Sequence, residues 1–163
     1  MPNKPLICLG TDHAGFALKE EIKKHLIELG YEVKDFGANA VDPGDDYPDF
    51  IIPAAEAVAK SGGEAVGIVF GGSGIGECMA ANKVQGVRAA TAYDAYTTSL
   101  SRQHNDANIL CLGGRTATSD PEVAKRLVRI WLETPFTNDE RHVRRLKEVT
   151  DYETRKQKKK EKK

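Results

Sequence analysis

The feature that most narrows the possible folds is an alternation of two hydrophobic periods. Short apolar runs at residues 6–10, 32–36, 65–70, 88–92 and 109–112 are separated by longer stretches in which apolar side chains recur every three or four positions. Buried strands carry the first pattern and amphipathic helices the second. Their regular exchange is what βαβ units around a parallel sheet require. Helices are predicted over 15–29, 48–61, 74–83, 95–104 and 121–132, with a last one from 140 to about 155. In the first of these, Phe16, Leu18, Ile22, Leu26 and Leu29 fall on one face, with Lys19, Glu20, Lys23 and Lys24 opposite. Gly30 stands where a C-terminal cap would, Pro48 and Pro121 fit a first helical turn, and Asp120 is placed to cap the fifth helix. The expected architecture is a single α/β domain over 1–155: a three-layer α/β/α, Rossmann-like (flavodoxin-like) fold with a five-stranded parallel sheet of unspecified strand order.

Composition agrees with this and removes other classes. With 163 residues, 40% of them hydrophobic, the chain can bury a core without disulfides or a structural metal. A disulfide-stapled miniprotein, a collagen-like fibre and a disordered chain are excluded. No apolar run approaches the roughly 20 residues of a membrane span, and the start MPNKPLICLG lacks a secretory signal, so a cytoplasmic protein is expected. The balance of 24 Lys+Arg against 24 Asp+Glu hides an asymmetry. Residues 141–163 hold 11 basic and 4 acidic side chains, which leaves 13 and 20 for residues 1–140. An acidic body argues against broad nucleic-acid binding, and the basic stretch 156–163 reads as a solvated, disordered tail. Cys8, Cys78 and Cys111 show no C-x-x-C spacing, so neither zinc nor a redox dithiol is expected.

In an open parallel sheet, ligands bind beyond the carboxyl ends of the strands, where loops run into helix N-termini. The segments 11–13, 37–47, 71–77, 93–94 and 113–115 qualify. The most informative is GGSGIGE, residues 71–77, directly after the apolar AVGIVF. Four glycines in six positions permit a sharp turn whose N–H groups point inward as an anion cradle. The dinucleotide fingerprint is not met, because Glu77 stands where a small residue is required beside a pyrophosphate. Nor is the P-loop, since Gly76 is followed by Glu77 and Cys78 rather than Lys-Ser/Thr. A tight turn without any ligand would use the same glycines.

Glu77, in the first turn of a helix, either complements the dipole or acts as a base over whatever the cradle holds. In the second role it could remove a proton α to a carbonyl, the enolate oxygen being received by backbone donors. His13 follows Asp12 after the first strand, and His104 precedes Asn105 in a polar stretch before the fifth. His25 reads as a surface residue. Arg115, Arg141, His142, Arg144 and Arg145 place cations on an acidic body, and guanidinium forks suit a phosphate dianion, although 141–145 could equally be a solvated helix face.

The stretches GTDHAGFALKEEI, DDYPDF, GGSGIGECMAANK, GVRAA, SRQHNDANILCLGGR and ERHVRRL stand in one order between residue 6 and about residue 148. In these the chain resembles the RpiB-type ribose 5-phosphate isomerases and their relatives acting on other phosphorylated aldoses, the family that also contains the galactose 6-phosphate isomerase subunits. The resemblance implies a cofactor-free aldose–ketose isomerase with no metal, working as a dimer or dimer of dimers with sites shared between subunits. Asp12 and His13 would touch the sugar, Tyr47 would line the pocket, and Gly72, Ser73, Gly74, Ile75 and Gly76 would form the anion hole. His104 would open the sugar ring with Asn105 beside it, and Arg115, Arg141 and Arg145, with His142 among them, would hold the phosphate. Many relatives carry a catalytic Cys immediately before the loop, where this chain has Gly71. GGSGIGE is similar to the branch that uses a Glu after the loop, which assigns the base to Glu77 and leaves Cys78 as a packing residue. Three alternatives remain open at this level. They are a six-carbon phosphosugar such as allose or galactose 6-phosphate as substrate, a non-catalytic phosphosugar-binding module, and an RNA-associated role for the tail.

Overall fold

The computed structural model describes residues 4–160, the last five by their backbone alone. In chain order the elements are β1 (Leu6–Thr11), α1 (Phe16–Glu28), β2 (Val33–Asp35), α2 (Pro48–Lys60), β3 (Ala65–Gly71) and α3 (Ile75–Ala81). They continue with β4 (Ala89–Thr91), α4 (Ala95–Gln103), β5 (Ile109–Gly113), α5 (Pro121–Glu133) and α6 (Glu140–Lys160). All strand pairs are parallel, in the order β2-β1-β3-β5-β4. This differs from the flavodoxin order 2-1-3-4-5 in its last two places. The reason is legible in burial: β5 is buried at every position and sits inside the sheet, whereas the three residues of β4 are all half-buried and form an edge.

Side chains alternate across the strands and build a core on each face. Ile7, Leu9, Ile68, Phe70, Leu110 and Leu112 pack with α1 and α5. Cys8, Val69, Ile109 and Cys111 face α2 and α3 through Ile51, Ala55, Val58 and Ala81. Three layers result. The N–H groups of Gly30 and Tyr31 close α1 on the carbonyls of Ile27 and Leu26 at 2.9 and 3.0 Å, the Schellman pattern. Pro48 and Pro121 open α2 and α5, and the Asp120 carboxylate accepts the Glu122 N–H at 2.9 Å.

Three expectations need correction. Leu29 is 42% exposed, because it lies past the last helical turn rather than on the core face. Lys19 is fully buried rather than on the solvent face. Its ammonium is held by both oxygens of Asp35 at 2.9 and 2.7 Å and by the Ala38 carbonyl at 2.8 Å, so a cation ties α1 to the end of β2 and the loop beyond. Finally, the stretch expected to be disordered from residue 156 is helical as far as Lys160, while residues 161–163 lie outside the described part.

Two ends of the sheet are thereby defined. Loops after β1, β2, β3 and β5 meet at the carboxyl end. Helix α4 carries the chain back from the carboxyl end of β4 to the amino end of β5, so residues 104–108 lie at the opposite end, about 16 Å of strand away. There the start of α6 joins them: the Thr137 N–H donates to the Gln103 carbonyl at 3.2 Å, and the rings of His104 and His142 stack at 4.2 Å.

Candidate active site

At the carboxyl end, the β1, β3 and β5 loops are bonded into one unit. The N–H groups of Gly114 and Arg115 donate to the carbonyls of Gly71 and Gly72 at 2.8 and 2.9 Å. Gly74 turns the chain into α3 with φ +80°, a backbone conformation that L side chains rarely adopt. The Ile75 N–H is taken by Ser73 Oγ at 3.2 Å. With the Ile75 N–H on Ser73 and the Gly74 N–H directed at the Glu77 carboxylate, part of the cradle expected over 72–76 is taken up within the loop itself.

Glu77 is 4% exposed, with its carboxylate folded back over the loop. Its position is best measured from Gly71, where a β-carbon would stand 1.8 Å from Glu77 Oε1 and 2.0 Å from Cδ. The carboxylate therefore occupies the space of a side chain at position 71. A thiol at 71 and an acid in this seat exclude each other, which is a steric account of why a chain with Gly71 carries its acid at 77. Burial raises the Glu77 pKa above the usual carboxylate range, the N–H groups of Glu77 and Gly74 oppose this, and the nearby Asp12 charge adds to the rise. A buried carboxyl with elevated pKa, seated where a glycine loop turns into a helix, is equipped for proton abstraction.

The neighbours follow from the same loops. Tyr47, at the N-terminus of α2, lays its ring against Gly76, where a β-carbon would meet Cζ at 3.0 Å. Arg115 is exposed and passes over Gly72, its Nη1 3.9 Å from that residue's β-carbon position. Asp12 is buried, and its Oδ1 accepts the N–H groups of Ala14 and Gly15 at 2.9 and 3.3 Å, shaping the turn into α1. His13 Nδ1 lies 2.6 Å from Asp45 Oδ1, which also accepts the His13 backbone N–H at 3.1 Å. Asp45 was not singled out by sequence, because an Asp in a polar loop gives no sign of which way it faces. Asp12, His13 and Asp45 offer ligand-type atoms within 4.8 Å of one another. Asp12 Oδ1 and Asp45 Oδ1 already accept from N–H donors.

The remaining residues are not brought here. His104, Asn105, Arg141, His142 and Arg145 cluster at the amino end of the sheet. Arg141, Arg145 and Asn105 are exposed, while His142 is 4% exposed beneath His104, with an interplanar angle of 15°. Burial and the adjacent His104 and Arg141 hold the His142 pKa below the usual range, which disfavours its cationic form. Cys78 packs among apolar neighbours, its Sγ 3.3 Å from the Ala89 carbonyl. Hydrogen bonds from Cys111, Thr91 and Asn82 outweigh its burial and bring its thiol to about 6.

The model for the family described as ribose/galactose isomerase matches residues 7–149. The chain belongs to that family. It is 44% identical over 147 residues to ribose-5-phosphate isomerase B of Mycobacterium tuberculosis strain H37Rv, covering 90% of this chain and 89% of that protein. Among solved structures, ribose-5-phosphate isomerase B of Clostridium thermocellum superposes with a TM-score of 0.85 at 44% identity, covering 92% of this chain and 98% of that one. The Mycoplasma genitalium protein, solved with bound ribulose-5-phosphate, gives 0.87 at 40% identity over 91% and 96%. No helix among the described residues is long and apolar enough to cross a membrane.

Proposed function

We propose that the protein is a cofactor-independent isomerase interconverting D-ribose 5-phosphate and D-ribulose 5-phosphate. We place it in the cytoplasm as a homodimer or dimer of dimers, each site shared by two chains. The observation that carries the reading is the seat of Glu77, a buried carboxylate held over Gly71 in the first turn of α3. His104 from a second copy donates a proton to the ring oxygen and its imidazole takes up the proton of the C1 hydroxyl, which frees the aldehyde. Glu77 then removes the proton from C2, the enediolate charge rests on the cradle, the O2 proton passes to O1, and the same carboxyl returns its proton to C1. Arg115, with Arg141 and Arg145 of the second copy, grips the phosphate and converts remote binding energy into alignment of C1 and C2.

Sharing between copies is supported by the fold itself. The two clusters lie at opposite ends of one parallel sheet, and a two-fold axis brings one chain's amino end to the other's carboxyl end twice over. Exposed Ile75, Met79, Tyr96 and Val143 on α3, α4 and α6 supply apolar surface for such a contact.

The test combines substrate choice with exchange. The wild-type chain is expected to turn over ribose 5-phosphate with a higher kcat/KM than allose or galactose 6-phosphate, and to wash deuterium from D2O into the sugar. Glu77→Gln should lower both turnover and exchange by about 10²–10⁴-fold. Undiminished exchange by that variant would remove Glu77 from the mechanism, and a preference for a six-carbon phosphosugar would change the substrate.

A further inference from the structure

The 36–47 loop reaches back to cover the first turn after β1, and its folding is specified locally. Gly44 donates to Asp42 Oδ1 at 2.9 Å and Asp45 N–H to the Asp42 carbonyl at 3.0 Å, a turn that directs the Asp45 side chain inward. The Asp45 side chain keeps 9% of its surface exposed. One oxygen, Oδ1, receives both the backbone and the ring N–H of His13, while Oδ2 is buried without any hydrogen-bond partner. A buried carboxylate with one idle oxygen does not serve the empty fold well, and such arrangements persist where a site depends on them. The same loop ends in Tyr47 against Gly76, so a single segment meets both His13 and the glycine loop.

We propose that Asp45 is a positioning residue that locks the His13 imidazole in one orientation and one tautomer, with the Nδ1 proton turned inward and Nε2 presented to the sugar phosphate. A carboxylate oxygen only accepts, so the 2.6 Å contact requires the proton on Nδ1. The ring retains 26% of its side-chain surface, enough for its far edge to reach a ligand. In water the neutral ring favours the proton on Nε2, so the tautomer held by Asp45 differs from the one His13 would adopt alone. The consequence is a pre-set hydrogen-bond pattern toward the substrate, realised equally in ground and transition states, and therefore expressed in KM rather than kcat. This inference rests on the proposed isomerase function for its kinetic arm alone.

Two measurements test it on the full-length protein. The 15N shifts of His13 at alkaline pH should report a protonated Nδ1 and a bare Nε2 in the wild type, and the reverse in Asp45→Ala. Ribose 5-phosphate kinetics should show KM rising about tenfold in Asp45→Ala, the value of one charge-assisted hydrogen bond, with kcat within about threefold. Asp45→Asn, which keeps an acceptor oxygen in place, should recover most of both losses. A wild-type His13 protonated on Nε2 overturns the proposal, whether or not the alanine variant folds. So does an unchanged KM in a folded Asp45→Ala, or an Asp45→Asn as impaired as the alanine variant. A wild-type protein inert toward ribose 5-phosphate would instead defeat the functional reading, and the 15N spectrum would still decide the role of Asp45.

Discussion

Replacing Gly71 by alanine should disarm the site without altering any side chain that meets the sugar phosphate. The new β-carbon would stand 1.8 Å from Glu77 Oε1, against an ordinary contact distance of at least 3.4 Å. The carboxylate must therefore withdraw by about 1.5 Å, and a displacement of roughly 1 Å from productive geometry costs on the order of 10²-fold in rate. That corresponds to about 2.7 kcal/mol of transition-state stabilisation. The fold should tolerate the change. Gly71 is not among the residues with positive φ, its nearest non-neighbour atoms all belong to the movable end of Glu77, and its carbonyl still accepts from Gly114. Alanine also narrows the unfolded ensemble, worth about 0.4–1 kcal/mol at a compatible site. The assay is steady-state conversion of ribose 5-phosphate alongside thermal unfolding: kcat should fall about a hundredfold with KM and Tm nearly unchanged. An alanine variant within about threefold of wild-type kcat would refute the claim that the carboxylate must occupy that seat.

Two further predictions concern titrating groups. Burial raises the folded-state pKa of Glu77, so its ionised form costs stability, a cost that grows as pH rises from the unfolded pKa through the folded one. Glu77→Gln should therefore melt higher than wild type at pH 7 yet equally at pH 3.5, while turnover falls by about 10²–10⁴-fold; a lower Tm at pH 7 would contradict the sign. For Asp35, burial pushes upward, but Lys19, Lys23 and the Gly37 N–H prevail and hold the carboxyl below its ordinary range. That stability is present above the unfolded pKa and is lost as pH falls through the folded one, so Asp35→Asn, which leaves the buried Lys19 only the Glu20 carboxylate and the Ala38 carbonyl, should cost about 3 kcal/mol at pH 7 by urea unfolding and progressively less as pH falls.

Sequence periodicity was sufficient for every strand and helix to within a residue or two, except the end of α6, expected near residue 155 and found at Lys160, because both readings rest on the same burial. The order of β4 and β5 was not legible, since adjacency in a parallel sheet depends on crossover packing that a single chain's pattern does not encode. Lys19 shows the limit of the helical wheel. Four positions on from Gly15 it faces the end of β2, where Asp35, the Ala38 carbonyl and the Glu20 carboxylate at 3.0 Å together make a buried ammonium tolerable. The glycine loop and Glu77 were readable from chemistry, whereas the reach of the carboxylate back over Gly71 was not. Asp45 escaped notice because its partner His13 is 32 residues away.

The separation of the site's halves at opposite ends of one sheet makes a direct test possible. Chains carrying Glu77→Gln and chains carrying both Arg141→Ala and Arg145→Ala should each be inactive alone. After joint unfolding and refolding, random pairing gives mixed dimers holding one site with Glu77 and both arginines intact, so about a quarter of wild-type turnover should return. A mixture as inactive as its components would show that one chain supplies the whole site, and the arrangement argued from the fold would be wrong.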